Sequence, residues 1–425
     1  MRGIFTPGAI SGEVRVPASK SQAHRAMICA ALAGNSRVTG LSHSEDMSAT
    51  LGALKALGAE FEADFGSGSD GIMTTGAALK CVQKAECVGD FCKVDCGESA
   101  STLRFMIPLA AALGQNVEFV GHGRLPKRTT ALYKPLLEAH GVLMNYVNDG
   151  DFLPLRVSGK LTGGEFGLRG DVSSQFVTGM LFALSVIGEG SVRLTTKLES
   201  RPYADLTVDM LRRFGIKVTE TGDSYAIDGG EFKPCDVAVD GDCSQAAFFA
   251  VAAAINGNVS IKGIDPATRQ GDFRLFEILE RFGAKVDFGK DAIRVRNGEL
   301  HASDIDASDI PDLVPALAVL AAYAKGETRI YNAGRLRLKE SDRIASTADL
   351  LRSLGGEVRE TEDGLLIVGK NFLSGGFAEA CGDHRIAMAA AAASVGCIGE
   401  VAVDDMSCTA KSYPDFCRDW KRLRQ

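Results

Sequence analysis

A small-residue helix that ends at glycine and runs into a β-branched strand recurs six times along this chain, which limits the fold more than any other feature. The copies read AHRAMICAALAGNSRVTG from Ala23, TLRFMIPLAAALGQNVEFVG from Thr102 and QFVTGMLFALSVIGEGSVRL from Gln175. They return as QAAFFAVAAAINGNVSIKG from Gln245, LVPALAVLAAYAKGETRIYN from Leu313 and HRIAMAAAAASVGCIGEVAV from His384. A second segment, an amphipathic helix ending in glycine and then a strand, follows five of the six, from Leu51, Pro135, Asp209, Glu277 and Asp349. The terminal glycine supplies the left-handed residue of a helix C-cap, and the β-branched residues after it suit a strand. PDFCRDWKRL, from Pro414, reads as a truncated sixth copy.

A period of roughly 70 to 80 residues is too long for a solenoid, so each copy is expected to be a small α/β subdomain. The Ala-, Gly- and Met-rich helices are apolar on nearly every side, which predicts burial. At 425 residues the chain exceeds what one core serves, and six copies divide as three plus three. The expected domains are residues 18–236, and residues 1–17 with 237–425. The division falls near Glu231 to Asp240. The strand Gly12 to Val16 lies ahead of the first helix and is assigned to the second domain, which predicts a two-stranded hinge.

Hydrophobic residues make up 45% and charged residues 24%, the balance of a globular protein. A net charge of −7 argues against nucleic acid or an anionic membrane as partner, because both need a basic surface. It leaves room for a small anionic substrate held by a local cluster of Arg and Lys. MRGIFTPGAISGEVRV lacks the apolar stretch of a secretory signal, and the run Ile386 to Gly396 is too short to span a bilayer. These features, with eleven cysteines, predict reduced thiols and a cytoplasmic protein. Cys87, Cys92 and Cys96 lack zinc-site spacing, so no metal and no cofactor is expected. With no apolar stripe evident, a monomer is expected.

Polar residues that a repeat core does not need gather where the buried helices begin, where free backbone N–H groups and the helix dipole favour anions. PASKSQAHR carries Lys20, Ser21 and Arg25. DCGESASTLRF is a small-residue turn around Ala100 that lets the backbone approach a ligand. GRLPKR carries Arg124, DVSSQFVTG carries Ser173, Ser174 and Gln175, and LESRPYADL carries Ser200 and Tyr203. Each of these alone reads equally well as ordinary helix capping. The later half is denser. IPDLVP places Asp312 at a helix head, RLKESDRIAST packs Lys339, Glu340 and Arg343 together, GDHRIAMA adds His384 and Arg385, and CTAKSYPDF adds Lys411. Arginine offers planar bidentate donors for carboxylate and phosphate, and lysine a movable charge or acid. Carboxylates among such cations are the parts of acid–base catalysis.

Taken in order across the whole chain, KSxxxR, SSQ, KESDR and DHRIAMA resemble the 5-enolpyruvylshikimate-3-phosphate synthase family of enolpyruvyl transferases. The resemblance implies a two-domain inside-out α/β barrel of six βαβαββ-type units, three per domain, with central buried helices. It implies transfer of the enolpyruvyl group of phosphoenolpyruvate to the 5-hydroxyl of shikimate 3-phosphate, with release of phosphate. Carried over residue by residue, Lys20, Ser21, Arg25, Ser173, Ser174, Gln175, Ser200, Tyr203, Asp312 and Lys339 would hold shikimate 3-phosphate. Lys20, Ala100, Arg124, Gln175, Arg343, Arg385 and Lys411 would surround phosphoenolpyruvate. Asp312, Glu340, Lys20, Lys411 and His384 form the implied catalytic set. Two ligands carrying two phosphates and two carboxylates need about this many cationic donors once out of water. Because the set is split between the two triplets, closure between domains is expected.

Glu98 stands where many members have Asn, and Ala100 where many have Gly, so the added methyl is expected to narrow the donor pocket against a longer mimic such as glyphosate. Two other readings remain. A nucleotide-sugar enolpyruvyl transferase carries a Lys-Asn pair in the first motif and a loop cysteine, whereas this chain has Lys20-Ser21 and no cysteine in GRLPKR. A non-catalytic anion-binding protein predicts loss of the acid–base groups, which are all present.

Overall fold

The structure is a computed structural model that describes residues 1–65, 70–79, 90–148 and 150–424. The described chain forms two compact units, one of Lys20–Val239, the other of Met1–Ser19 with Asp240–Gln425. It opens with strands β1 (Gly3–Phe5) and β2 (Ile10–Arg15), both of which belong to the second of these units.

In the unit Lys20–Val239, helix α1 (Lys20–Ala33), β3 (Arg37–Leu41), α2 (Glu45–Ala56) and the hairpin β4 (Phe61–Asp64), β5 (Gly71–Thr75) come first. Next follow β6 (Cys92–Asp95), α3 (Ala100–Ala112), β7 (Val117–Val120), α4 (Tyr133–Glu138), β8 (Val142–Tyr146) and β9 (Leu155–Gly159). The same order returns as β10 (Glu165–Leu168), α5 (Ser174–Ile187), β11 (Glu189–Leu194), α6 (Arg201–Arg213), β12 (Ile216–Thr221) and β13 (Ser224–Gly230). The unit ends in β14 (Val237–Ala238). Its three sheets share one strand order, β6-β7-β9-β8, β10-β11-β13-β12 and β14-β3-β5-β4. In each the first pair is parallel, and the rest antiparallel. Parallel neighbours need a crossover; α3 and α5 supply it in two sheets, while in the third β14 returns from the end of the unit to lie beside β3.

The other unit continues with α7 (Cys243–Asn256), β15 (Gly257–Lys262), α8 (Arg274–Phe282), β16 (Lys285–Phe288) and β17 (Ala292–Arg296). Then come β18 (Ile305–Asp306), α9 (Val314–Ala322), β19 (Glu327–Tyr331), α10 (Arg343–Ser353), β20 (Glu357–Glu360) and β21 (Leu365–Val368). β22 (Gly376–Ala378), α11 (His384–Ala393), β23 (Val401–Val403) and α12 (Phe416–Leu423) close the chain. Two sheets keep the four-stranded order, β16-β17-β15-β2 and β18-β19-β21-β20, and β2 runs parallel to β15 from Gly257↔Ile10 to Lys262↔Arg15. The third has three strands, β1-β23-β22. There the antiparallel partner of β23, which a hairpin supplies in the other sheets, is β1 from the chain start.

Small side chains let the helices pack together at their centres. Every residue of α9 and of α11 is buried, and α1, α3, α5 and α7 are buried along most of their lengths. At these close approaches Ala and Gly lose little rotamer entropy. The outer helices α6, α8 and α12 bury one stripe, as in Leu275, Phe276, Ile278, Leu279 and Phe282 of α8. α5 stops at Gly188, whose φ of 94° is the left-handed C-cap conformation.

No helix among the described residues is long and apolar enough to cross a membrane. Nine of the cysteines lie among the described residues, and all nine are free thiols. Cys87 lies outside the described residues; Cys92 donates its thiol to the Ala56 carbonyl at 2.9 Å, and Cys96 is buried.

Candidate active site

In the unit Lys20–Val239 the polar groups sit at the starts of α1, α2, α3 and α5. α1 begins at Lys20, whose ammonium meets Asp46 Oδ2 at 2.8 Å, with side-chain exposures of 19% and 5%. Asp46 lies in the first turn of α2, where Ser44 caps the helix and a negative charge offsets the dipole.

One turn on from Lys20, Arg25 is buried under the ring of Phe105, 5.3 Å from its centroid. Its guanidinium donates to Thr207 Oγ1 at 2.8 Å, Thr178 Oγ1 at 3.2 Å and the carbonyls of Ser21 and Tyr203 at 2.6 and 2.7 Å. Burial lowers its proton affinity to about 10, which leaves it cationic at neutral pH. Arg25 thus fixes the backbone of Ser21 and Tyr203.

Ser173 caps α5, accepting from the Gln175 N–H. The Gln175 side chain is held at both ends, its oxygen by Arg104 Nη1 at 2.8 Å and its nitrogen by Ser101 Oγ at 2.9 Å. Arg104 also donates to the Thr129 carbonyl at 3.0 Å and lies 4.7 Å over the Phe176 ring. Ser200 adopts φ 57° at the head of α6. For a residue with a Cβ this is an uncommon conformation that often marks functional positions. Ala100 is the first residue of α3 and is buried behind the cap Ser99. Arg124, in contrast, is exposed at the head of the 3-10 turn Leu125–Lys127. Among the described residues, no hydrogen bond or ion pair holds its side chain. At Gly123 (φ 60°) an added Cβ would collide with Glu98 Oε1, so the Glu98 carboxylate fills the space that a glycine leaves.

In the other unit Arg343 is the hub. It is 1% exposed and reaches three carboxylates, Asp383 through Nε at 2.7 Å, Glu340 through Nη2 at 2.8 Å and Asp312 through Nη1 at 3.0 Å. Asp312 is shared with Arg385, whose Nη2 meets Oδ2 at 2.8 Å, and with Lys339 at 3.7 Å. Burial works against the charge on Asp312, but Arg385, Lys339 and Arg343 outweigh it and hold the carboxyl well below the usual range. Burial likewise opposes the charge on Arg343, and Asp383, Glu340 and Asp312 keep it firmly protonated. His384 is buried, its Nδ1 3.8 Å from Asp383 Oδ1. Lys411 is buried in the 3-10 turn Ser407–Lys411 beside α11.

Asp312, Lys339, Glu340, Arg343, His384 and Arg385 of this unit therefore stand together, with two partners that do not announce themselves in the sequence, Asp383 and Asp272. Asp383 caps α11, accepting from the Arg385 N–H, and Ser341 Oγ donates to it at 3.1 Å. Asp272 accepts a short hydrogen bond from Ser244 Oγ near the start of α7. Burial and the negative charge of Asp312 push its carboxyl up to about 7. In the unit Lys20–Val239, Arg104 is a further such residue. Its signal was present in TLRFMIPLAAA, where one arginine stands in an apolar helix. Asp383 stood beside His384 in GDHRIAMA.

The family model for EPSP synthase (3-phosphoshikimate 1-carboxyvinyltransferase) matches residues 4–420 of the chain. This chain belongs to the EPSP synthase family. A 3-phosphoshikimate 1-carboxyvinyltransferase of Clostridium novyi is 40% identical over 424 residues, 98% of this chain and 96% of the relative. The enzyme of that name from Methanocorpusculum labreanum is 40% identical over 428 residues, covering 100% of this chain and 98% of its own. Among solved structures, an EPSP synthase from Acinetobacter baumannii superposes with a TM-score of 0.82 at 28% identity, over 99% of this chain and 98% of that one. The α/β fold with mixed sheets is therefore that of EPSP synthases.

Proposed function

We propose that this chain transfers the enolpyruvyl group of phosphoenolpyruvate to the 5-hydroxyl of shikimate 3-phosphate, releasing inorganic phosphate. The observation that carries the reading is Asp312 held between Arg343 and Arg385, with Glu340 on the same Arg343. Two carboxylates fixed beside each other by cations, at helix starts that favour anions, are what an addition–elimination on an anionic enol requires.

In this reading Asp312, kept ionised by its cations, takes the proton of the 5-hydroxyl as its oxygen bonds to C2 of phosphoenolpyruvate. Glu340 delivers a proton to C3, which gives a tetrahedral ketal phosphate. In the elimination the Glu340 carboxylate takes a proton back from the new methyl group as the C2–O bond to phosphate breaks, with Lys20 or Lys411 supplying the proton to the leaving group. Lys20, Ser21, Arg25, Ser173, Ser174, Gln175, Ser200, Tyr203, Asp312 and Lys339 serve shikimate 3-phosphate, Arg25 by fixing the backbone of its neighbours. Lys20, Ala100, Gln175, Arg343, Arg385 and Lys411 serve phosphoenolpyruvate. Arg124, exposed at the surface, belongs to the same set, and the ordered Arg104 orients Gln175. His384, buried against Asp383, completes the proposed catalytic set beside Arg385.

The shared strand order supports an inside-out α/β barrel of six βαβαββ-type units in two domains of three. The chain passes between the units at Ser19–Lys20 and at Val239–Asp240, which supports a two-stranded hinge there. The test is the product. Incubation with both substrates should yield vinylic proton signals of an enol ether in the NMR spectrum, with loss of those of phosphoenolpyruvate. Unchanged spectra from folded protein would overturn the reading.

A further inference from the structure

Between α1, α2 and α3 runs a chain of buried polar groups that the proposed reaction does not use. His24 Nδ1 lies 2.6 Å from Thr50 Oγ1, Thr50 Oγ1 lies 2.7 Å from Thr102 Oγ1, and Thr102 Oγ1 donates to Ser99 Oγ at 2.8 Å. His24, Thr50, Thr102 and Ser99 are all buried. Ser99 is the cap of α3, accepting also from the Thr102 N–H at 3.2 Å, and the next two residues are Ala100 and Ser101.

The proton positions follow by elimination. A hydroxyl has one proton. Thr102 gives its own to Ser99, so it accepts from Thr50, and Thr50 must then accept from His24. Thr50 also reaches the Asp46 carbonyl, at the longer distance of 3.3 Å. His24 is therefore a neutral imidazole with its proton on Nδ1. Two further facts agree. Nε2 is buried with no hydrogen-bond partner among the described residues, as suits a bare acceptor in an apolar setting. Burial, assisted by Lys20 and Arg25 and opposed by Asp46, holds the imidazole down to about 3.

The chain joins two places where ligand groups are assigned, Lys20 on α1 and Ala100 on α3. His24 is one turn along α1 from Lys20, Thr50 one turn along α2 from Asp46, the partner of Lys20, and Ser99 precedes Ala100. On the other side Ser101 is tied through Gln175 to Arg104. The start of α3 is thus tethered from both flanks.

We propose that His24 is a positioning residue of the phosphoenolpyruvate pocket, acting through Thr50, Thr102 and Ser99 to fix the start of α3 that carries Ala100. This rests on the functional reading above and assigns His24 no contact with substrate. A side chain that presents an N–H where Nδ1 sits should therefore serve, and an apolar one should not.

The experiment measures KM for each substrate, kcat and Tm in the wild type and three variants. Thr50→Val removes the hydroxyl link at nearly constant shape, His24→Leu removes the donor, and His24→Asn restores an N–H donor. Thr50→Val and His24→Leu should raise KM for phosphoenolpyruvate about five- to tenfold, the scale of one buried hydrogen bond. KM for shikimate 3-phosphate should stay within about twofold, a change too small to register one lost hydrogen bond. His24→Asn should recover most of the loss. A fall in Tm with both KM values unchanged, or with both raised alike, would overturn the proposal and leave the chain a packing feature. Should His24→Leu not fold, Thr50→Val and His24→Asn decide alone. A wild type without transferase activity would sink the functional reading instead, and so separates the two failures.

Discussion

Arg343 and Asp383 form a two-point ion pair inside the protein, Nε to Oδ2 at 2.7 Å and Nη2 to Oδ1 at 3.2 Å, with side-chain exposures of 1% and 0%. The same carboxylate caps α11. Its removal leaves a buried guanidinium with one anchor fewer and a helix start without its cap. Asp383→Ala should therefore lower the unfolding free energy by about 3–5 kcal/mol. Urea titration measures this, and a loss below about 1 kcal/mol would show that Glu340 and Asp312 suffice to hold Arg343.

Asp312 and Glu340 are assigned to opposite ends of the proton traffic. Asp312→Asn and Glu340→Gln, which keep size but remove the group that takes or gives the proton, should each lower kcat about 10²- to 10⁴-fold. Both variants should still bind shikimate 3-phosphate, measurable by calorimetry. Near-normal turnover in either would remove that residue from the chemistry.

Two buried groups give the stability curve opposite limbs. His24 is held down to about 3 from an ordinary 6.5, so as pH falls through that window the unfolded chain takes up a proton that the folded one refuses. Its contribution thus lowers stability towards acid, by at most about 1.4 kcal/mol per pH unit. Asp272 is pushed up to about 7 from 3.8, so between those values the folded state holds the extra proton. Its contribution lowers stability as pH rises towards 7. His24→Asn should flatten the acid limb and Asp272→Asn the limb above pH 4, both read from denaturant midpoints across pH. Parallel curves for wild type and variant would contradict the assignment.

Ala100 begins α3 and is buried. Its methyl is the extra bulk expected to crowd a phosphoenolpyruvate mimic longer than the substrate. Ala100→Gly should tighten inhibition by glyphosate at least about tenfold, the scale of relieving one overpacked methyl. Equal inhibition constants would show that the methyl does not face the ligand.

How legible this was in the sequence depends on distance along the chain. The buried helices showed in their small-residue composition, and β2 could be assigned away from its neighbours because it precedes the first copy. The last sheet could not be read, because β1 completes it from nearly 400 residues away, at Ile4↔Ala402. In the site, Arg343 and Glu340 stand three residues apart and announce themselves in KESDR. Asp272 does not, since its meaning comes from Ser244 and the charge of Asp312. The His24 chain was silent for the same reason. Thr50 and Thr102 are ordinary helix residues until α2 and α3 bring their hydroxyls to 2.7 Å. Arg124 shows the converse, a cation in a suggestive motif that the fold leaves exposed.

The central claim is tested most directly by phosphate release from phosphoenolpyruvate, with shikimate 3-phosphate or UDP-N-acetylglucosamine as acceptor. The account predicts release with shikimate 3-phosphate alone. Release with the nucleotide sugar, or with neither acceptor from folded protein, would contradict it.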